Sequence, residues 1–178
     1  AYQNYADTRL LAEHFDAARR WVDYVQARNP GLIWATNRHN DYNDWLNGDW
    51  IRQKDWPAQG GSVPKEVFAT AFFAHSADLV SRMARVLGRE ADARRYADLF
   101  DQIKAAFNRR FVQADGRIEG DTQAGYALAL HFDLLSEPLR PSAASHLVAG
   151  LRRYQNHLST GIQSTHRAML ELPRWHHG

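Results

Sequence analysis

Cysteine is absent from the 178-residue sequence, which excludes disulfides, thiol nucleophiles and cysteine-based metal sites. Long hydrophobic runs are missing too. No window approaches the ~18–20 apolar residues of a membrane-spanning helix, and Ala1-Tyr2-Gln3-Asn4 has no charged-then-apolar leader pattern. Neither sign of charge dominates: 22 Lys and Arg stand against 20 Asp and Glu, a net +2. The basic residues fall in pairs such as Arg19-Arg20 and Arg152-Arg153 on helical patterns, not in a dense patch. The electrostatic footprint of a nucleic-acid binder is therefore missing, and neither nucleic acid nor a membrane is expected as a partner. Period-two alternation never lasts more than a few residues, so strands are not expected. His75, His131 and His166 lie within helical patterns without a partner at metal-ligand spacing, so no metal is expected.

What is present is apolar material at helical spacing. With 44% hydrophobic and 12% aromatic residues the chain can bury a substantial core. Leu11, Phe15, Ala18, Val22 and Val25 step by four, three, four and three, with Asp7 as N-cap and Asn29-Pro30-Gly31 as terminator. A second helix runs from Ser62-Val63-Pro64 to Gly88, and a third, clearly amphipathic, from Arg89 to about Phe111. A fourth opens near Asp121-Thr122; it is apolar on all sides, as a helix buried between others reads, and Ser136-Glu137-Pro138 breaks it. A fifth spans about 141–153 and a sixth about 161–172. The expected class is all-α, built of helical hairpins in which charged and apolar helices alternate.

The connections alternate as well. Helices two and three, and four and five, are joined tightly and must run antiparallel, so the longer segments 28–63, 112–121 and 154–160 emerge at one end of the assembly. Those segments hold Asp41, Asp44, Trp45, Asp49, Trp50, Trp56, Glu119, Asp121 and His157, with Gln123 just inside the fourth helix. Aromatics and carboxylates are the residues that stack on and hydrogen-bond to sugars. Each also has a plainer role: Trp45 and Trp50 as loop anchors, Asp121 or Thr122 as a helix cap, His157 as a structural residue. Inverting glycoside hydrolysis needs two carboxyl groups roughly 6.5–9.5 Å apart. Nothing in the spacing singles out a pair among Asp41, Asp44, Glu66, Glu119 and Asp121.

Five segments carry a family resemblance, in order. Tyr5 to Tyr24 resembles the helix that follows the general-acid segment of bacterial glycoside hydrolase family 78 α-L-rhamnosidases. Asn-Asp-Tyr-Asn-Asp-Trp-Leu at 40–46 is similar to that family's Tyr-Gly-Asp-Trp-Leu loop, with Asn43 in place of the Gly; Asn tolerates left-handed backbone. Segments 63–73, 118–130 and 157–166 also resemble family segments, and the likeness spans about residues 2–172. It implies an (α/α)6 barrel of six helical hairpins with residues 1–178 as about half of it, a rhamnose-containing glycoside or oligosaccharide as substrate, hydrolysis with inversion, and no organic cofactor. It makes Trp45 an aromatic of the rhamnose pocket and Asp44 its neighbour in that motif. Asp41, Glu119, Asp121, Gln123 and His157 join as substrate-binding candidates by their place on the loops. The family's general acid is expected in an acidic segment before residue 1, and its general base in a Trp-Glu-Arg-Trp-like segment after the last helix. The chain instead reads Leu-Pro-Arg-Trp-His-His-Gly at 172–178, so no catalytic carboxylate is assigned here and the remaining half of the barrel is an expected partner. A non-catalytic helical-hairpin binding or scaffold protein, or another glycosidase or lyase on the same barrel, are the alternatives.

Overall fold

A computed structural model describes residues 2–36, 38, 41–48, 54–57 and 61–175. Its helices are α1 (Tyr2–Tyr5), α2 (Arg9–Arg28), α3 (Lys65–Val86), α4 (Glu90–Phe111), α5 (Gln123–His131), α6 (Arg140–Arg153) and α7 (Thr165–Trp175), with a 3-10 turn at Glu137–Leu139 leading into α6. The described residues contain no strand; their one extended pairing is an isolated antiparallel bridge between Val112 and Ile118. No described helix is long and apolar enough to cross a membrane.

Burial sorts the helices as the hydrophobic pattern requires. In α2 only Phe15, Val22 and Val25 are buried, and in α4 one stripe from Ala93 to Phe111. In α5 every residue from Gln123 to Leu130 is buried. A helix apolar all round must be covered all round: α5 packs against α3, α6 and α7, while α4 lies along α3. The result is a row, α3, α5 and α7, backed by α2, α4 and α6; α3 and α5 are the apolar members, whereas α7, expected to be apolar, is amphipathic, with only Ala168 and Glu171 buried and Met169 and Leu170 exposed. Phe15, Phe73, Phe107, Ile103 and Leu128 are among the fully buried side chains of the shared core. Each contributes about 1.5–3 kcal/mol by leaving water.

The ends of the helices follow local chemistry. Ala6, with φ at +54°, separates α1 from α2, and the Asp7 carboxylate accepts the Arg9 N–H at 3.0 Å, so Asp7 caps α2 while Thr8 occupies the cap position without a side-chain bond. Helix α5 stops at His131, short of the expected break at 136–138. There Asp133 turns left-handed and the Leu134 N–H returns to the Ala129 carbonyl at 2.9 Å, a helix-closing bond. Helix α7 begins at Thr165, later than the expected Gly161, and continues through Pro173 to Trp175. Beyond the expected end at about 172, Trp175 packs against the core and donates its indole N–H to Glu171 at 3.2 Å.

Candidate functional site

The three long connectors do meet at one end. Connector 29–64 touches connector 112–122 where Gly120, at φ +85°, lies against the Pro64 ring so closely that a Cβ would overlap it. It touches connector 154–164 through the Gly48 N–H on the Ser159 carbonyl (3.0 Å), the Ile162 N–H on the Trp45 carbonyl (2.8 Å), and the Gln155 amide on the Lys54 carbonyl (3.3 Å). Trp56 stands edge-on to Tyr154 with ring centroids 5.0 Å apart, and 6.0 Å from the His157 ring. Trp45, Gln123 and His157 therefore belong to one rim.

Within it the candidate residues divide by which way their polar atoms face. Asp44 is fully buried: Oδ2 accepts the Gly161 N–H at 2.7 Å, and Oδ1 those of Gln163 and Ser164 at 3.0 Å. Gln123 is 1% exposed and equally committed, its Nε2 donating to the carbonyls of Gly150 (3.2 Å) and His157 (3.1 Å) while Oε1 accepts the Ser159 N–H at 2.9 Å. Neither offers a polar atom to a sugar. Both were expected to contact substrate; here their polar ends are taken up by backbone groups 27 to 120 residues away in sequence.

Asp121 is half-committed. Arg153 donates to its Oδ2 at 2.6 Å and Tyr126 to its Oδ1 at 2.5 Å. Burial works against its charge, but these two hydrogen bonds and the Arg153 charge outweigh it and hold the carboxyl below the usual carboxylate range. The capping role at the start of α5 falls to Thr122, whose hydroxyl accepts the Gly125 N–H at 3.2 Å. Asp41 lies between Arg38 (3.3 Å) and Lys65 (3.4 Å). Glu119 pairs with Arg110 at 2.5 Å, and Arg110 reaches Glu66 at 3.7 Å. Arg110, Arg117, Glu119 and Asp121 line a cleft of about 280 Å³ beside the bridge. His157 is exposed, with Nδ1 held 3.1 Å from the Tyr154 carbonyl.

The outward-facing aromatics are Trp45, 49% exposed, and Tyr42, 73% exposed, with ring centroids 5.7 Å apart. Tyr42 was not among the candidates; its place three residues before Trp45 in the same motif was the available signal. Asn43 and Leu46 bracket Asp44-Trp45 with φ of +54° and +60°, so the turn that a Gly would make is made by Asn, as its tolerance of left-handed backbone allows. Asp49 and Trp50 lie outside the described residues. Among the described residues no group of three or more His, Asp or Glu converges as a metal site.

Comparison with known proteins agrees with this architecture. Residues 1–177 match the family described as the bacterial alpha-L-rhamnosidase 6 hairpin glycosidase domain. The α-L-rhamnosidase of Streptomyces avermitilis is 40% identical over 168 residues, 94% of this chain and 15% of that protein; that of Formosa agariphila is 33% identical over 92% of this chain and 17% of its own length. The crystal structure of the S. avermitilis enzyme complexed with L-rhamnose superposes with a TM-score of 0.84 over 99% of this chain and 16% of that one. Native α-L-rhamnosidase from Aspergillus terreus, 26% identical, gives 0.80 over 96% of this chain and 19% of that one. The chain thus spans under a fifth of the length of each of these relatives, and within that stretch its hairpins are those of an (α/α)6 barrel. It belongs to the bacterial α-L-rhamnosidase six-hairpin glycosidase family.

Proposed function

We propose that the protein carrying these residues hydrolyses terminal α-L-rhamnosides with inversion, and that this stretch makes about half of the barrel and supplies loops of the sugar pocket. The exposed Tyr42–Trp45 pair on the rim where the three connectors meet carries the reading. An indole face covers the apolar C–H side of a sugar ring, and Asp41, Glu119 and the His157 edge lie on the same rim with polar atoms for hydroxyls. A relative that superposes over nearly the whole chain has been crystallised with L-rhamnose. Asp44 and Gln123 serve from beneath, and Asp121 stiffens the entry to α5. No residue here is assigned as general acid or base.

Turnover and binding test the proposal. The 178 residues alone should give no detectable cleavage of an aryl α-L-rhamnoside, since each member of an acid/base pair typically contributes ~10²–10⁴-fold. Robust cleavage abolished by one carboxylate substitution within 41–121 would show that the acid or base lies in this stretch. In the full-length protein Trp45→Ala should weaken L-rhamnose binding at least about tenfold while costing under about 1 kcal/mol of stability, the ring being half exposed. Unchanged binding would remove Trp45 from the pocket.

A further inference from the structure

Trp45 cannot be held by its own burial. Half its surface is in water, Tyr42 beside it is more exposed still, and both residues flanking the Asp44-Trp45 pair are in the left-handed region. Left-handed Leu46 is strained backbone that persists only when the surroundings fix it. Those surroundings are on the inner side of the turn. Asp44 faces in and takes three N–H groups from residues 161–164, at the entry to α7, where backbone donors lack helical partners and the helix dipole favours an anion. None of the ion pairs among the described residues involves Asp44; the nearby Arg167 guanidinium lies over the Phe72 and Phe132 rings instead. The Ile162 N–H returns to the Trp45 carbonyl, and Gly161 lies so close to the Asp44 and Trp45 carbonyls that no side chain fits there. The segment that receives the carboxylate is thus also the one that grips the Trp45 backbone.

We propose that Asp44 is a positioning residue for sugar binding: its buried carboxylate latches the 41–48 loop onto residues 161–164 and thereby sets the orientation of the Trp45 ring. The assignment rests on Trp45 being the sugar platform. It explains why a carboxyl side chain is buried on backbone donors in a loop: the N–H groups that precede α7 are turned toward Asp44.

The test uses the full-length protein with Asp44→Asn, Asp44→Ala, Trp45→Ala and the double variant Asp44→Ala/Trp45→Ala. Readouts are KM and kcat on an aryl α-L-rhamnoside, and amide hydrogen exchange of residues 161–164. Expected is a KM increase of about tenfold in Asp44→Ala with kcat within about threefold, and faster exchange at Gly161, Gln163 and Ser164. In the Trp45→Ala background the Asp44→Ala step should move KM less than about twofold, because residues that act as one unit are not additive. Gln163→Pro, which removes one donor and leaves Asp44 in place, should raise KM by about threefold; it serves as the decisive variant if loss of the carboxylate prevents folding. An unchanged KM in Asp44→Ala or Gln163→Pro, or an equal Asp44→Ala effect with and without Trp45, overturns the latch. If Trp45→Ala itself leaves KM unchanged, the platform reading fails, whatever the exchange data show for residues 161–164.

Discussion

Replacing Gln123 should separate a buried hydrogen-bonding hub from a residue that merely fills space. Its amide joins the last turn of α6, through the Gly150 carbonyl, to the 157–164 segment through the His157 carbonyl and the Ser159 N–H. The bonds to the Gly150 carbonyl and from the Ser159 N–H are buried, and the one to the His157 carbonyl is part-buried. In Gln123→Leu, a substitution of similar volume, two buried backbone groups lose their partner at about 1–3 kcal/mol each, and the third, part-buried bond is lost at little net cost where water replaces it. The loss should be about 2–6 kcal/mol, a large share of the ~5–15 kcal/mol that holds a typical domain together. Gln123→Glu should be at least as damaging at neutral pH: it keeps an acceptor for Ser159 but sets a carboxylate oxygen against two carbonyls. Urea unfolding followed by circular dichroism measures both, with an unchanged slope showing that the midpoint shift is a stability change. A loss under about 1 kcal/mol in Gln123→Leu, or a milder effect in Gln123→Glu, would refute the reasoning.

Two further substitutions probe other parts of the frame. Gly161→Ala forces a methyl group onto the Asp44 and Trp45 carbonyls and should cost about 1–3 kcal/mol or more, with faster amide exchange at Ile162; a neutral substitution would show that the contact relaxes freely. His75 is stacked flat on Phe132 at 4.0 Å; burial first, and the Arg167 charge second, push its pKa down to about 4 from an ordinary 6.5. Because the unfolded chain takes up a proton in that window and the native ring does not, stability should fall as pH drops from 6.5 to 4 and rise again with pH. The His75 share is roughly 1–2 kcal/mol after allowance for solvent screening. His75→Phe should flatten that part of the profile, and an identical slope in the variant would contradict it.

The parts of this molecule that were legible in the sequence are those governed by periodicity. The stripe in α2, the all-round apolar α5 and the tight connection after α3 were readable, and the contacts among Gly48, Ser159, Gly120 and Pro64 agree with long loops gathered together; the connection after α5, expected to be tight, instead runs over residues 132–139. Asn43 in the left-handed region followed from its chemistry. Side-chain direction within a loop has no period, so Asp44 and Trp45, adjacent in one motif, gave no hint that one faces inward and the other outward. From the sequence Gln123 and Asp44 read as sugar contacts, because their backbone partners lie in connectors remote in sequence and become neighbours only once the hairpins have packed. The end of α5 was missed for a similar reason: Asp133 turns left-handed and closes the helix before the proline that seemed the natural stop.

Trp45 should stand as a sugar platform on a rim built by three connectors. A crystal structure of the full-length protein with L-rhamnose bound measures this directly. The sugar ring should lie with its C–H face on the Trp45 indole, with Asp44 beneath on the N–H groups of Gly161, Gln163 and Ser164. Sugar bound away from the 41–48 and 154–164 connectors, or an Asp44 carboxylate turned outward onto a rhamnose hydroxyl, would contradict it.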